Sequence, residues 1–135
     1  ELLLAGAILH DVGKIRTYDV GVVIDLTPEG GLFDHIVIGF EMVRDRIRTC
    51  RGFPEDLERR LLHMILSHHG KKEWGSPTEP MIPEACALYH ADLCDSQTAE
   101  FLKVREELDV ARSTVWSGYS RKLNKYLYLG EHHEL

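Results

Sequence analysis

The amino-acid sequence predicts an all-α domain with a short β-hairpin or loop insertion near residues 19–34. Apolar side chains recur at helical spacing along most of the chain, and helix start and stop signals bound these segments. β-branched residues cluster in a single run at 20–26, and turn residues follow at 27–31. No repeat or linker interrupts the 135 residues, so we expect one domain over 1–135.

The first predicted helix covers residues 2–12 and is apolar on nearly all sides, so it is expected at the centre of the domain. Gly13 is its predicted stop. After the hairpin, Asp34 is the expected N-cap of a second helix over about 35–50. The remaining helices are predicted over residues 54–70, 83–109 and 118–129.

Composition limits the classes of function. The net charge of −6 argues against a basic nucleic-acid-binding surface over the whole chain, so a nucleic-acid substrate would need a bound metal or another domain. The chain shows no signal peptide and no long apolar span, which predicts a cytoplasmic protein without membrane contact. The three cysteines form no metal-binding pair and are expected to be buried apolar residues: Cys50, Cys86 and Cys94.

Histidine and aspartate recur at four places beside apolar helical segments: His10-Asp11, His35, His68-His69 and Asp92. An apolar run ends at His10-Asp11, and burying an unpaired carboxylate there would cost several kcal/mol. A metal cation is the usual compensation. Imidazole and carboxylate ligands suit Mn, Fe, Co, Ni or Zn, with Mg as a further candidate. Two adjacent ligand pairs favour two ions, with Asp11 bridging them.

Each of these residues also has an ordinary structural interpretation. His35 alone would be a capping or surface residue, His68 a core histidine, and Asp92 an ion-paired helix residue. Lys14 would be a solvated lysine, although it is also placed to meet negative charge on a phosphate. Trp74 lies in the predicted loop 70–82, where stacking on a base and covering the pocket are equally good interpretations. The set together favours a metal site.

The segment His10-Asp11-Val12-Gly13-Lys14 resembles the signature of the HD-domain metal-dependent phosphohydrolases. Segments 34–39 and 65–70 resemble the later histidine elements of that family, and Asp92 resembles its closing aspartate. The resemblance implies an HD-domain helical bundle that hydrolyses phosphate esters with one or two divalent metals. It implies catalytic roles for Asp11 and Lys14 and the metal ligands His10, Asp11, His35, His68, His69 and Asp92.

A narrower resemblance is to the YhaM-type bacterial 3′-to-5′ exoribonucleases, through segments 23–30, 67–77 and 116–128. It implies exonuclease action on RNA or single-stranded DNA, with Lys14 and Trp74 contacting substrate. Those proteins join an OB-fold domain to the HD domain, and the family carries another metal-binding histidine on an earlier helix. We therefore expect this chain to lack its first helix and any preceding OB-fold. His90, before the closing aspartate, is expected in the core.

Two other classes of function stay open. One is an HD nucleotidase or cyclic-nucleotide phosphodiesterase. A cyclic-dinucleotide enzyme would carry a glycine-proline signature after the second histidine pair, where this chain has Lys71-Lys72-Glu73-Trp74. The other is a non-catalytic HD scaffold. A homo-oligomer is also considered, because an uncovered face of the first helix would favour self-association.

Overall fold

The structure is a computed structural model that describes residues 1–109, 115–121 and 123–130, with side chains up to 106 in the first range. Two short antiparallel strands lie among helices. In chain order the elements are α1 (Leu2–Leu9), α2 (Lys14–Thr17), β1 (Tyr18–Val20), β2 (Ile24–Leu26), α3 (Pro28–Arg48), α4 (Glu55–Ser67), a 3₁₀ helix (Lys72–Trp74) and α5 (Pro83–Asp109). The predicted all-α class with one hairpin is confirmed.

The chain divides into two compact units, Glu1–Asp92 and Leu93–Leu135. In the first unit, apolar faces of α3 and α4 form the main core, which partly buried residues of α1 cover. A second, smaller cluster joins α4 to the start of α5. The buried residues of these clusters are Val43, Ile47, Leu61, Leu62, Met64, Ile65, Ala85 and Leu88.

The hairpin and the helix that follows it are joined by a helix cap. Tyr18 pairs with Leu26, so β1 and β2 form the predicted hairpin. The turn predicted at 27–31 is wrong, because α3 begins there. Thr27 is its N-cap, with Oγ1 accepting the Gly30 N–H at 2.9 Å, and Pro28 takes the first helical position. Threonine and proline at these positions start a helix as readily as they make a turn.

Helix α3 is interrupted at Asp34, which has φ 61° and ψ 157°. The prediction of a helix start at Asp34 is therefore only half right, since helical turns lie on both sides of it. The Asp34 carboxylate accepts the backbone N–H of His35, the next residue, whereas an N-cap accepts from the second or third residue of its helix. This combination of φ and ψ is found almost only at glycine, so the backbone at Asp34 is strained.

Helix α1 lies at the edge of the first unit, and its predicted central position is wrong. The side chains of Leu4 and Ile8 are 66% and 70% exposed. Gly6 is buried because α1 crosses α4 closely there: a Cβ on Gly6 would lie 2.2 Å from Met64 Cε. An open apolar cleft of about 590 Å³ is lined by residues of α1, α3 and α4.

The second unit contains a strand-like segment where a helix over 118–129 was predicted. Two isolated antiparallel bridges join Trp116 to Tyr128 and Ser120 to Lys125. A run rich in aromatic residues favours extended structure, and Asn124 adopts a φ of 53° that turns the chain. The helix prediction is therefore wrong. A break was expected over 110–117, between the last two predicted helices, and residues 110–114 of it lie outside the described residues.

Two remaining sequence expectations concern cysteine burial and the membrane. Cys50, Cys86 and Cys94 are all exposed, so the prediction that they are buried is wrong. Over the described residues, none of the helices combines the length and the apolar character needed to cross a bilayer.

Candidate metal centre

Asp11 lies in the turn between α1 and α2, and its two carboxylate oxygens face different groups. Oδ1 lies 3.4 Å from His35 Nε2 and 3.7 Å from His68 Nε2. Oδ2 lies 3.4 Å from His10 Nε2 and 2.5 Å from Lys14 Nζ. The carboxylate is thus shared between an interior pair of imidazoles and a more exposed imidazole–ammonium pair.

The remaining predicted ligands lie around the same point. His69 follows His68 after the end of α4, and their ring centroids are 4.5 Å apart. Asp92 on α5 places Oδ1 3.7 Å from His10 Nε2. The structure therefore brings all six predicted ligand residues together, from four separate regions of the first unit: the turn between α1 and α2, helix α3, the end of α4, and α5.

Each of the four candidate ligand histidines has an oxygen atom within hydrogen-bonding distance of its Nδ1. The partners are the backbone carbonyls of Ala7 for His10 (2.9 Å), Ile65 for His68 (2.7 Å) and Trp74 for His69 (3.1 Å), and the Asp34 carboxylate for His35. An oxygen at Nδ1 favours the tautomer with hydrogen on that nitrogen. The lone pair then lies on Nε2, which is the usual arrangement for a metal-binding imidazole.

Three buried polar atoms at the centre have no hydrogen-bond partner among the described residues: Asp11 Oδ1, His35 Nε2 and His68 Nε2. Leaving such an atom unsatisfied costs about 1–3 kcal/mol. The nitrogens of His35, His68 and His69 also lie within 4.8 Å of one another. Converging, unpartnered nitrogen and oxygen donors fit a divalent transition-metal ion.

The charge states also suit a cation. Burial lowers the pKa of His68 to about 4, so this imidazole is neutral at pH 7. For Asp11, burial opposes ionisation, but hydrogen bonds from His10 and Lys14 outweigh it and hold the pKa of the carboxyl well below its ordinary value. The hydrogen bond to Asp11 in turn raises the pKa of His10. A metal would therefore compete with a proton at His10.

Two glycines let the backbone carrying Asp11 approach α3. A Cβ on Gly13 would lie 1.9 Å from the His35 carbonyl oxygen and 2.6 Å from the Gly39 nitrogen. Gly13 has an ordinary helical φ of −61°, so its predicted role as a helix stop is wrong. Because Gly13 has no side chain, the backbone can approach His35 this closely, and this approach sets the separation of Asp11 and His35.

The predicted substrate contacts lie at the edge of the centre. Lys14 is about half exposed and is held by Asp11. Trp74 is 46% exposed, and Lys71 Nζ lies 4.7 Å from its ring centroid. A cleft of about 610 Å³ beside the 3₁₀ helix is lined by Lys71, Lys72 and Tyr89. His90 also lines it and is exposed, so the expected core position of His90 is wrong.

Sequence reasoning missed two residues that shape the site. Asp34 was predicted only as a cap, yet its carboxylate also holds Nδ1 of His35. A carboxylate directly before a candidate ligand histidine is the signal that could have identified it. Gly39 gives no such signal, because its role depends on the approach of Gly13 from another part of the chain.

Comparison with known proteins agrees with this geometry. The HD domain family model matches residues 1–97, which contain all six predicted ligands, and the chain belongs to the HD domain family. It is similar to the 3′-5′ exoribonuclease YhaM of Bacillus velezensis, with 43% identity over 99 residues, 72% of this chain and 31% of that protein. The Listeria welshimeri YhaM is 43% identical over 96 residues, 71% of this chain and 30% of that protein.

The YhaM protein of Oceanobacillus iheyensis is 41% identical over 97 residues, 72% of this chain and 30% of that protein. The chain therefore spans about a third of the length of the curated relatives it matches. No solved structure matches it significantly.

Proposed function

We propose that this chain is the hydrolytic domain of a metal-dependent phosphodiesterase that removes nucleotides from the 3′ end of RNA or single-stranded DNA. The observation that carries the proposal is the convergence of Asp11 Oδ1, His35 Nε2 and His68 Nε2, all buried and without a hydrogen-bond partner among the described residues. The relatives are named 3′-5′ exoribonucleases, which supports the substrate class and the direction of cleavage.

The proposed ligand set holds two divalent ions, with Mn, Fe, Co, Ni, Zn or Mg as candidates. The two oxygens of Asp11 face two different groups of donors, which supports a bridging role for this carboxylate. Bound ions would supply an activated water and polarise the phosphoryl oxygens. The ligands are His10, Asp11, His35, His68, His69 and Asp92.

The chain's own residues orient the reaction. The oxygens at the four Nδ1 atoms fix the imidazole rings before any ligand binds, so little reorganisation is needed. Lys14 projects from the exposed side of Asp11, where its ammonium would meet the charge that develops on the scissile phosphate. Its compact charge and flexible stem suit this role.

Hydrolysis of end-labelled oligoribonucleotides with added Mn tests the proposal. A 5′-labelled strand should shorten stepwise, and a 3′-labelled strand should release its label as a mononucleotide at once, because cleavage begins at the 3′ end. Chelation of the metal by EDTA should abolish both the shortening and the release of label. Cleavage of mononucleotides alone would favour a nucleotidase. Bound metal without any hydrolysis would favour a non-catalytic scaffold.

We expect Trp74 to contact oligonucleotide substrates but not small phosphodiesters. Its ring is nearly half exposed, and its centroid lies 6.3 Å from that of Tyr89, which lines the open cleft; this exposure suits a base-stacking role better than a buried cover. Replacing it with leucine should raise KM for an oligonucleotide by about 5-fold or more, since stacking is worth about 1–3 kcal/mol. The rate on a small chromogenic phosphodiester should change little. An equal loss on both substrates would indicate a structural role.

A further inference from the structure

The second unit carries a group of exposed aromatic side chains. We call its described residues 115–121 and 123–130 the aromatic hairpin. Ser117 and Leu127 face inward and are each 6% exposed. Since side chains alternate between the two faces of a strand, their neighbours face outward. Trp116, Tyr126 and Tyr128 are such neighbours and are 57%, 61% and 62% exposed, and Tyr119, two residues after Ser117, is 51% exposed as well.

The exposed rings are held in two pairs. Trp116 and Tyr128 lie across one bridge with centroids 5.3 Å apart, and Tyr119 and Tyr126 lie 5.2 Å apart. Both pairs are edge-to-face, and the Tyr119 hydroxyl donates to Asn124. The rings are thus ordered by one another while much of their area stays open to solvent. Contiguous exposed apolar surface of this kind commonly marks a binding site.

The charge of this segment differs from that of the rest of the chain. Residues 115–130 contain Arg121, Lys122 and Lys125 and no acidic residue, a net charge of +3, whereas the other residues together carry −9. Arg121 is exposed, and Lys125 Nζ lies 5.8 Å from the Phe101 ring centroid. A local surface that joins open rings to cations is complementary to a ligand with flat bases and an anionic backbone.

We propose that the aromatic hairpin binds single-stranded nucleic acid by stacking unpaired bases on its exposed tyrosine rings, with phosphates contacting the exposed Arg121. The residues involved lie outside the matched part of the HD family. Pairing with the same hairpin of a second copy is less favourable, because it would oppose one +3 segment with another. The inference rests on the proposed function for the class of ligand and adds a binding surface to it.

Fluorescence anisotropy of a labelled oligoadenylate tests binding to this surface. The oligonucleotide has about 12 nucleotides, which is within the roughly 4–16 nucleotides that single-strand-binding domains cover. EDTA is included to prevent metal-dependent hydrolysis. Binding by the aromatic hairpin is therefore tested separately from the proposed hydrolytic function. Tyr126→Ala should weaken binding at least about 5-fold, while Tyr126→Phe keeps the ring and should bind like wild type. Arg121→Gln should lower the slope of log affinity against log salt by about 0.7.

Two matched substitutions outside the hairpin serve as controls. Tyr18→Ala removes a partly exposed tyrosine in β1, and Arg51→Gln removes an exposed arginine, and both should bind like wild type. Wild-type affinity in Tyr126→Ala and Arg121→Gln, or equal affinity for duplex RNA, would overturn the proposal. So would a wild-type dimer that Tyr126→Ala dissociates and the oligonucleotide does not affect, which would make the hairpin an interface between copies.

Discussion

Replacing Asp11 with asparagine is expected to remove the bound metal and reduce the rate of phosphodiester hydrolysis at least about 100-fold. This loss is larger than the roughly 10–100-fold loss expected when a group that only orients a metal ligand is removed. The amide keeps the shape of the carboxylate but loses its charge and one acceptor oxygen. It would leave the unpartnered nitrogens of His35 and His68 without the anion they face. Elemental analysis after incubation with Mn measures the effect directly, and wild type should retain about two ions per chain.

Two further variants separate ligation from neighbouring effects. Lys14→Gln removes the ammonium beside Asp11 and should keep the metal while lowering kcat, because Lys14 is proposed to act on the phosphate. Asp45→Asn removes an exposed carboxylate that pairs only with Arg48 among the described residues. It should leave metal content and activity unchanged. Full metal occupancy in Asp11→Asn would contradict the proposed bridging role.

Replacing Gly13 with alanine should destabilise the protein by about 1–3 kcal/mol, the usual cost of overpacking. The added Cβ would lie 1.9 Å from the His35 carbonyl oxygen, and backbone cannot move aside as a flexible side chain can. The two segments must separate, so Asp11 moves away from His35. Metal affinity should therefore fall about 10–100-fold as well. Urea denaturation and metal titration measure the two effects.

Gly31→Ala is the matched control for this experiment. Gly31 lies in α3, and a Cβ there would meet nothing within 4 Å. The substitution should leave metal affinity unchanged and stabilise the protein by about 0.5–1 kcal/mol, because alanine loses less backbone entropy in a helix. Gly13→Ala with wild-type stability and metal affinity would show that the close approach does not position the site.

The candidate ligands could be selected from the sequence because the signal is local and chemical. An apolar run that ends in His10-Asp11 carries a burial cost that is visible without coordinates. The positions of α4 and α5 could also be predicted from the sequence. Helix α4 lies within the predicted range 54–70, and α5 begins at Pro83 and ends at Asp109, as predicted. The family resemblance then supplied the order of the ligands, and the match over residues 1–97 confirms the family.

Other expectations were wrong where tertiary contacts outweigh local pattern. Residues 118–129 were predicted to form a helix, yet the chain there forms bridges and keeps most of its aromatic rings exposed. The exposed cysteines and the edge position of α1 are similar cases. Apolar character predicts which side chains could be buried, but only the arrangement of neighbouring elements decides which are.

The sequence by itself determined the helical class, the hairpin, the family and the residues that could bind a metal. Only the tertiary structure decided that Asp11 Oδ1, His35 Nε2 and His68 Nε2 meet without another partner among the described residues. It also decided that Asp34 and the Trp74 carbonyl orient two of the imidazoles. The physical reason is that side-chain chemistry is carried by each residue, whereas desolvation and orientation depend on segments distant in the chain.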